Sequence, residues 1–380
     1  MPFTAEHDAL RESIRDFVAK ELRPFADEWE AAEYFPDSVF RRMGELGLLG
    51  LRYPEEYGGQ GGDYFHALVL AEEMAGAGCG GVGMAISVQT EMATPPIFKF
   101  GTEAQKQRYL VPAIAGTKIA ALGITEPDAG SDVASCRTRA DRVNGGWRIN
   151  GRKTYITNGV RCDYIVLVCR TGKQDEGAGA ITLFLVDKEI PGFDVARKLK
   201  KMGMHASDTA ELSFTDVVVS DDAVLGEVNK GFYHLMWELQ GERLIGAAGS
   251  IAGAERAFGE TLRWCQDREA FGRKLAAFQV TRHKLVDMYA DIQVAKTYVY
   301  SLAERWDAGE YPVAEISIAK LIVGQVASRV ADECVQLFGG AGYMDDVHVS
   351  RHFRDSRLIR IGAGTDEIMK EIIAKTALGL

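Results

Sequence analysis

The spacing of apolar residues changes twice along the chain. From residue 5 to residue 110 they recur at helical intervals, as at Leu10, Ile14 and Phe17, with Thr4 a suitable N-cap for the first helix. From about residue 120, short apolar runs and alternating positions replace this pattern, and helical spacing returns at residue 228. We therefore predict an α+β protein with a helical N-terminal domain (1–119), a central β domain (120–226) and a helical C-terminal domain (227–380).

The central region contains several candidate strands. Continuous apolar runs at 164–169 (YIVLVC) and 181–186 (ITLFLV) predict buried strands, and the alternation of Ala210, Leu212 and Phe214 predicts a half-buried one. Residues 147–157 predict a hairpin, because Asn150-Gly151 is typical of a type I′ turn.

Residues 231–258 predict a helix that is buried on most sides. One face carries a single carboxylate between leucines and a run of glycines: Leu235, Leu239, Glu242, Gly246, Gly249 and Gly253. Such a face leaves a groove, and partial desolvation would raise the pKa of Glu242 toward that of a general base. The alternative is structural, since small residues also allow close helix packing and a buried Glu is usually paired with Arg.

Further helices are predicted at 278–306, from Pro312 to Gly339, and after Thr365. Thr365 is a good N-cap, and Asp366 and Glu367 suit the positive end of the last helix dipole.

Composition excludes several classes of function. The net charge of −10 and the lack of a dense Lys/Arg stripe argue against a nucleic-acid surface. No run of about 18 apolar residues predicts a membrane span. The six cysteines form no C-x-x-C pair, so we expect reduced thiols and neither a disulfide framework nor a zinc site.

The first residues begin directly in a helix and carry no signal or transit pattern. We therefore expect a cytoplasmic protein of bacterial type, or a mitochondrial matrix protein if a transit peptide has been removed.

Other local motifs carry little weight. The glycines of GAGCGG (76–81) match G-x-G-x-x-G but follow a predicted helix, which excludes a Rossmann motif. Walker A, G-x-S-x-G and H-E-x-x-H motifs are absent from the sequence. His348 and His352 have i, i+4 spacing near acidic residues, but a charged loop and helix surface explains them more simply, so we assign no metal site.

Seven stretches, in this order over the whole chain, resemble the flavin-dependent acyl-CoA dehydrogenase family: ITEPDAGSD, KTYITNG, MGMHASDTAELSF, GERLIGAAG, DREAFGRKLAAFQ, QLFGGAGYM and IGAGTDEIM. Each stretch alone is a weak signal, whereas the ordered set is specific. The resemblance implies a helical N-terminal domain, a β-barrel-like central domain and a C-terminal four-helix bundle. It also implies non-covalent FAD, an acyl-CoA substrate bound between the domains, and a homotetramer built as a dimer of dimers.

The resemblance assigns roles to particular residues. Those implied to contact FAD are Leu122, Ile124, Thr125, Ser131, Tyr155, Thr157, Arg268, Phe271, Phe278, Gln279, Gln336, Gly339, Gly340, Thr365 and Glu367. Of these, Arg268, Phe271, Phe278 and Gln279 match residues that reach the FAD of a neighbouring subunit. Those implied to contact the substrate are Ser131, Tyr233, Arg243, Gly362, Ala363 and Gly364. Tyr155 stands where many relatives have Trp, and a tyrosine can also cover an aromatic face.

One departure from the family pattern concerns the catalytic base. Many members carry a Glu immediately before the Gly-Thr of the last motif, where this chain has Ala363. A subset resembling isovaleryl-CoA and long-chain acyl-CoA dehydrogenases places the base in an E-R-L sequence, and this chain has Glu242-Arg243-Leu244. The local argument and the resemblance therefore both indicate Glu242.

The resemblance implies that Glu242 removes the α-proton, that a hydride passes from the β-carbon to the flavin, and that a trans-2-enoyl-CoA results. The backbone N–H of Ala363 would polarise the thioester carbonyl, and an electron-transfer flavoprotein would accept the electrons. Two alternatives stay open: an acyl-CoA oxidase that uses O2, and a non-catalytic acyl-CoA-binding subunit. Residues 233–236 and the small Gly362 and Ala363 favour a branched acyl chain, whereas GTDEIMKEIIAK (364–375) resembles the long-chain type.

Overall fold

The structure is a computed structural model that describes residues 3–380. Its N-terminal part is helical, with 3₁₀ and π turns between the helices. The α-helices are α1 (Ala5–Phe17), α2 (Ala26–Ala32), α3 (Ser38–Glu45), α4 (Tyr64–Met74), α5 (Gly80–Ser87), α6 (Thr94–Phe100), α7 (Glu103–Gln105) and α8 (Val111–Ile114). Thr4 caps α1 as predicted, and Ile14 and Phe17 are buried in the core of this part.

The central part forms one mixed sheet. Its strands are β1 (Ala120–Gly123), β2 (Arg139–Val143), β3 (Gly146–Thr157), β4 (Tyr164–Arg170), β5 (Ile181–Asp187), β6 (Phe193–Lys198), β7 (Thr209–Ser220) and β8 (Val224–Leu225). The strand order is β6-β7-β3-β2-β4-β5-β8, with β1 parallel to β4. Phe193 at one edge and Val224 at the other pack against the same core cluster, so the sheet curls round a single core as a barrel-like domain does.

The predicted hairpin at 147–157 is wrong, because these residues lie within the single strand β3. The turn is instead at Asn144-Gly145, where Val143 pairs with Gly146 and Gly145 has a φ of +75°. Gly151 lies beside a register shift in the β3–β7 pairing, and a Cβ there would lie 2.6 Å from the Cα of Thr138. The second Asn-Gly therefore allows a bulge and a close backbone approach rather than a turn.

The C-terminal part is helical, with a two-stranded ribbon after its first helix. Its elements are α9 (Gly231–Asp267), β9 (Glu269–Ala270), β10 (Arg273–Lys274), α10 (Gln279–Asp307), α11 (Val313–Phe338), α12 (His348–Ser356) and α13 (Asp366–Ile373). α9, α10 and α11 pack on one another, and α12 and α13 lie against α11. α9, α10, α11 and α13 are the four helices expected, and α12 is an additional short helix in a region that the sequence indicated only as a charged loop and helix surface.

A shared core joins the three parts near the start of α9. Leu235 and Leu239 of α9 are buried with Ala93 and Ile97 from the N-terminal part and with strands β4 and β5. Leu122 and Ile124 pack against this cluster from the end of β1. The predicted arrangement of helical, β and helical domains is confirmed, and α9 lies where all three meet. Among residues 3–380, every helix is too short or too polar to cross a membrane.

Candidate active site

Glu242 lies in the middle of α9, a single helix of 37 residues. Its side chain is partly accessible, whereas Arg243 and Leu244 beside it are buried. Burial raises the pKa of Glu242 to about 7, although Arg243, Glu238 and Lys320 oppose the rise. A carboxyl group with this pKa and partial access is suited to accept a proton at neutral pH.

The glycines that follow Glu242 do not form an open groove along the whole helix. A Cβ at Gly249 would lie 3.5 Å from the carbonyl oxygen of Ala71 in α4, and one at Gly253 would lie 3.1 Å from the His352 ring in α12. This half of the stripe therefore serves close helix packing, the alternative that the sequence left open. Any room for a ligand lies at the Glu242 end.

The segment Gly362–Thr365, in the last of the seven motifs, is held by one buried cation from α9 and one from α11. Arg243 Nε donates to the carbonyl oxygen of Ala363 at 2.9 Å, and Lys320 Nζ donates to the carbonyl oxygen of Gly364. Ala363 and Gly364 both have positive φ, +53° and +97°. Thr365 caps α13 by accepting from the Ile368 N–H at 3.3 Å. The turn of α9 that carries the predicted base is thus joined to the Gly362–Gly364 segment, although Arg243 and Ala363 are 120 positions apart in the sequence.

A second group of predicted residues lies on the sheet. The Thr154 N–H donates to the Thr125 carbonyl oxygen at 2.8 Å, which places the loop after β1 beside the end of β3. Thr125 therefore lies beside the Thr154–Tyr155 backbone, and β1, which carries Leu122, contacts β3. Ser131 is exposed on the same loop, and Tyr155 is 70% exposed with a φ of +61°.

A buried ion pair that the sequence analysis missed organises this loop. Lys153 Nζ lies 2.7 Å from Glu126 Oε1 and also donates to the carbonyl oxygen of Ile124 at 2.9 Å. Glu126 accepts further bonds from the backbone N–H groups of Arg137 and Thr138. Burial alone would raise the pKa of Glu126, but Lys153 and these bonds lower it to about 2. The signal was that Lys153 keeps the two-residue spacing of Trp147 and Ile149, the buried positions earlier in the strand, and a lysine at such a position predicts a buried partner.

The third group of predicted residues lies at the far end of α9. Arg268, Phe271, Phe278 and Gln279 lie on and beside the β9–β10 ribbon, and Phe271 is 95% exposed. Trp264 joins them to the Gln336–Gly340 segment, since its ring stacks on Phe338 and its Nε1 donates to the Leu337 carbonyl oxygen at 3.2 Å. Gly339 and Gly340 have open space around them. Thr365 and Glu367 lie apart from this group, at the start of α13.

The residues present fit a flavin dinucleotide. An exposed aromatic ring at Tyr155 with hydroxyl groups at Thr125 and Thr157 suits a heteroaromatic ring with polar edges. The exposed Phe271 ring, the guanidinium of Arg268 and the open glycines suit an adenine and pyrophosphate end.

The histidines considered for a metal have other roles. His348 Nδ1 is 2.9 Å from Glu260 Oε2, and His352 packs against Gly253. Elsewhere among residues 3–380, His7, Asp63 and His66 place ligand-type atoms close together. Thr4 N–H and Asp63 N–H donate to the Nδ1 atoms of His7 and His66, so this cluster is two adjoining capping boxes.

Comparison with known proteins decides the family. The model for the N-terminal domain of acyl-CoA dehydrogenases matches residues 4–117, the middle-domain model matches 121–217, and the C-terminal-domain model matches 229–378. The chain belongs to the acyl-CoA dehydrogenase family. It is therefore a flavin-dependent oxidoreductase, as its sequence motifs predicted.

Relatives across the acyl-CoA dehydrogenase family resemble the chain over nearly its full length. The mitochondrial long-chain specific acyl-CoA dehydrogenase of Rattus norvegicus is 40% identical over 374 residues, which cover 98% of this chain and 86% of the relative. The mitochondrial isovaleryl-CoA dehydrogenase of Solanum tuberosum is 37% identical, covering 96% of this chain and 89% of the relative. The crystal structure of acyl-CoA dehydrogenase from Geobacillus kaustophilus superposes with a TM-score of 0.96 at 39% identity, covering 100% of this chain and 99% of that one.

Proposed function

We propose that this protein converts an acyl-CoA thioester to the trans-2-enoyl-CoA, with Glu242 as the general base. The observation that supports the proposal is the junction of α9 with the last motif. Arg243, the neighbour of Glu242, bonds to the carbonyl oxygen of Ala363, which fixes the candidate carbonyl-binding backbone to the helix that carries the carboxylate. Alanine at position 363 leaves this backbone role intact, because the role needs no side chain.

In this proposal the chain's own residues polarise the substrate and remove a proton. The N–H of Ala363 binds the thioester oxygen and makes the α-hydrogen more acidic. Glu242 takes the α-proton, the electrons of that C–H bond form the Cα–Cβ double bond, and the β-hydrogen leaves with its bonding pair. FAD, when bound, supplies the acceptor for that hydride. Arg243, buried beside the base, helps to keep Glu242 ionised.

We assign FAD to the sheet surface at Tyr155 and Thr157 and to the loop at Thr125 and Ser131. The β9–β10 ribbon, with the Gln336–Gly340 segment, is assigned to the FAD of a neighbouring subunit in a homotetramer. Thr365 and Glu367, at the N-terminus of α13, are also assigned to FAD contacts. The exposed Phe271 supports this assignment. A phenyl ring that is 95% exposed in the single chain is typical of a side chain covered by a ligand or by another subunit. An electron-transfer flavoprotein is the proposed electron acceptor.

The acyl chain is proposed to be either branched and short or long and straight. The small residues Gly362 and Ala363 beside Glu242 favour a branch near the reacting carbons, and relatives named for isovaleryl-CoA and for long-chain acyl-CoA are both similar to this chain. Tyr233, 58% exposed at the start of α9, is assigned to the substrate side of the site.

The deciding experiment is an anaerobic titration of the purified protein with straight and branched acyl-CoAs, followed by the visible spectrum. Bleaching of the flavin band supports the dehydrogenase half-reaction, and the most efficient acyl-CoA gives the substrate class. A bound flavin that no acyl-CoA reduces contradicts the proposal. Rapid peroxide formation on admission of air indicates the oxidase, and a colourless protein indicates the non-catalytic acyl-CoA-binding subunit.

A further inference from the structure

A second carboxyl group, that of Glu238, lies on α9 one helical turn before Glu242. Glu238 is only 2% exposed, and neither of its carboxyl oxygens accepts a hydrogen bond from any donor among residues 3–380. Side chains at i and i+4 on a helix are neighbours, so the carboxyl groups of Glu238 and Glu242 lie on one face within reach of each other.

Among residues 3–380, no cation forms an ion pair with Glu238. Arg243 lowers the pKa of Glu238 through space, but none of its N–H groups bonds to that carboxyl group, and its Nε donates to the Ala363 carbonyl oxygen. Lys320 donates to the Gly364 carbonyl oxygen, and Arg52 pairs with Glu91 at 2.7 Å. A carboxylate buried without a paired cation or a hydrogen-bond donor is strongly destabilised when ionised, and such a group takes up a proton instead. A carboxyl–carboxyl contact can be a hydrogen bond only when one of the two groups carries a proton.

We propose that Glu238 is a positioning residue that stays protonated and donates a hydrogen bond to the carboxylate of Glu242, keeping the base ionised and oriented. The inference rests on the proposed role of Glu242 as the general base. It adds a residue that the ordered motifs did not single out. The only signal in the sequence is the i, i+4 pair of glutamates in WELQGERL (237–244).

The electrostatics agree with this division of roles. Burial, and then the neighbouring Glu242, raises the pKa of Glu238 well above its usual range, whereas hydrogen bonding to Glu238 lowers the pKa of Glu242. When the surroundings raise the pKa of one of two adjoining carboxyl groups and lower the pKa of the other, the shared proton belongs to the group with the higher pKa. The charged groups that act on the pair are Glu91, Arg243 and Lys320. Arg52 faces Glu91 and Tyr64, and Tyr311 faces Arg243.

The test compares the pH dependence of kcat/KM in wild type, Glu238→Gln and Glu238→Leu, measured as flavin reduction by the best acyl-CoA. The amide of Glu238→Gln still donates, so its acid limb is expected to stay near that of wild type, at about pH 7. Leucine cannot donate, so the acid limb of Glu238→Leu is expected to move up by about one to two pH units. Gln240→Leu removes a buried polar group from another face of α9 and serves as the matched control, with no expected shift.

Two outcomes would overturn the inference. A downward shift in Glu238→Gln would mean that an ionised Glu238 had been raising the pKa of Glu242. An unmoved limb in Glu238→Leu would mean that Glu238 only packs.

A second measurement does not depend on turnover. The infrared difference spectrum of resting wild type minus Glu238→Gln, at neutral pH, is expected to contain the C=O stretch of a neutral carboxylic acid. Carboxylate bands in its place would refute the protonated state. If no acyl-CoA reduces the wild-type flavin, the proposed function fails while this band still reports on Glu238, so the two failures are distinguishable.

Discussion

At the scale of single residues, the surroundings of Glu242 set its chemistry. Burial raises its pKa to about 7, and the neighbouring Arg243 is partly committed to the Ala363 carbonyl oxygen. The sequence allowed a structural ion pair between Glu242 and an arginine as the alternative. Arg243 does lower the pKa of Glu242, yet its guanidinium Nε bonds to backbone, and the carboxylate stays partly accessible.

Replacement of Glu242 by glutamine should remove proton abstraction without removing the flavin. We expect acyl-CoA-dependent flavin reduction in Glu242→Gln to slow by about 10²–10⁴-fold, the usual worth of a positioned general base. Anaerobic stopped-flow absorbance measures the rate, and the visible spectrum of the purified variant measures flavin content.

The matched control is Glu255→Gln. Glu255 lies on the same helix but pairs with Lys296 at 2.6 Å, so its loss should leave flavin reduction unchanged. Glu242→Gln with a rate close to that of wild type would rule out Glu242 as the base.

At the scale of elements, the pair of Lys153 and Glu126 fastens the loop after β1 to strand β3. Replacement of Lys153 by methionine leaves a buried carboxylate without its cation, which should lower the free energy of unfolding by roughly 3–5 kcal/mol. Urea denaturation followed by circular dichroism measures the change. Lys200→Met, at an exposed position in the same domain, is the control, and an equal loss there would show that the pair is not the cause.

The same pair predicts how stability depends on pH. The pKa of Glu126 is about 2 in the folded chain, below its ordinary value of 4.5. A carboxyl group with a lowered pKa contributes stability that is complete above its unfolded-state pKa and is lost as the pH falls toward the folded-state pKa.

We therefore expect wild type to lose about 2 kcal/mol more than the neutral double variant E126Q/K153M between about pH 6 and about pH 3. Urea denaturation at each pH gives the two curves. Parallel curves would mean that Glu126 titrates in the folded chain as it does in the unfolded one.

Elements with regular apolar patterns could be predicted, whereas a short helix whose buried face carries charged side chains could not. Strands β4 and β5 were found where their continuous apolar runs indicated. Helix α12 was missed because two of its buried side chains are charged: Arg351 pairs with Asp27, and Asp355 accepts from the N–H groups of Gly80 and Met204. Such partners come from distant segments, so the local pattern looks like a solvated surface.

At the scale of the whole molecule, the exposed apolar side chains of α10 indicate a subunit interface. Val280, Val286, Tyr289 and Val294 are each more than half exposed. Apolar side chains concentrated on one exposed helix are typical of a surface covered by another subunit. This supports the proposed homotetramer.

A charge on this helix should disrupt assembly. We expect Val294→Glu to reduce the tetramer in favour of smaller species and to lower flavin retention, because a buried unpaired carboxylate opposes association. Light scattering coupled to size exclusion measures the mass. Val218→Glu, at an equally apolar exposed position on β7, is the control and should keep the wild-type mass. A tetramer that tolerates Val294→Glu would place the interface elsewhere.

The sequence by itself determined the order of helical and β regions, the family, and the carboxylate that serves as candidate base. These features depend on local spacing and on short motifs, which can be recognised without knowing which distant segments meet. Only the tertiary structure decided that Arg243 bonds to the last motif, that Lys153 neutralises Glu126, and that Glu238 has neither a hydrogen-bond donor nor an ion-pair partner among residues 3–380. Each of these depends on which groups share a buried space, because burial makes an unpaired charge costly and so fixes where protons and ion pairs are found.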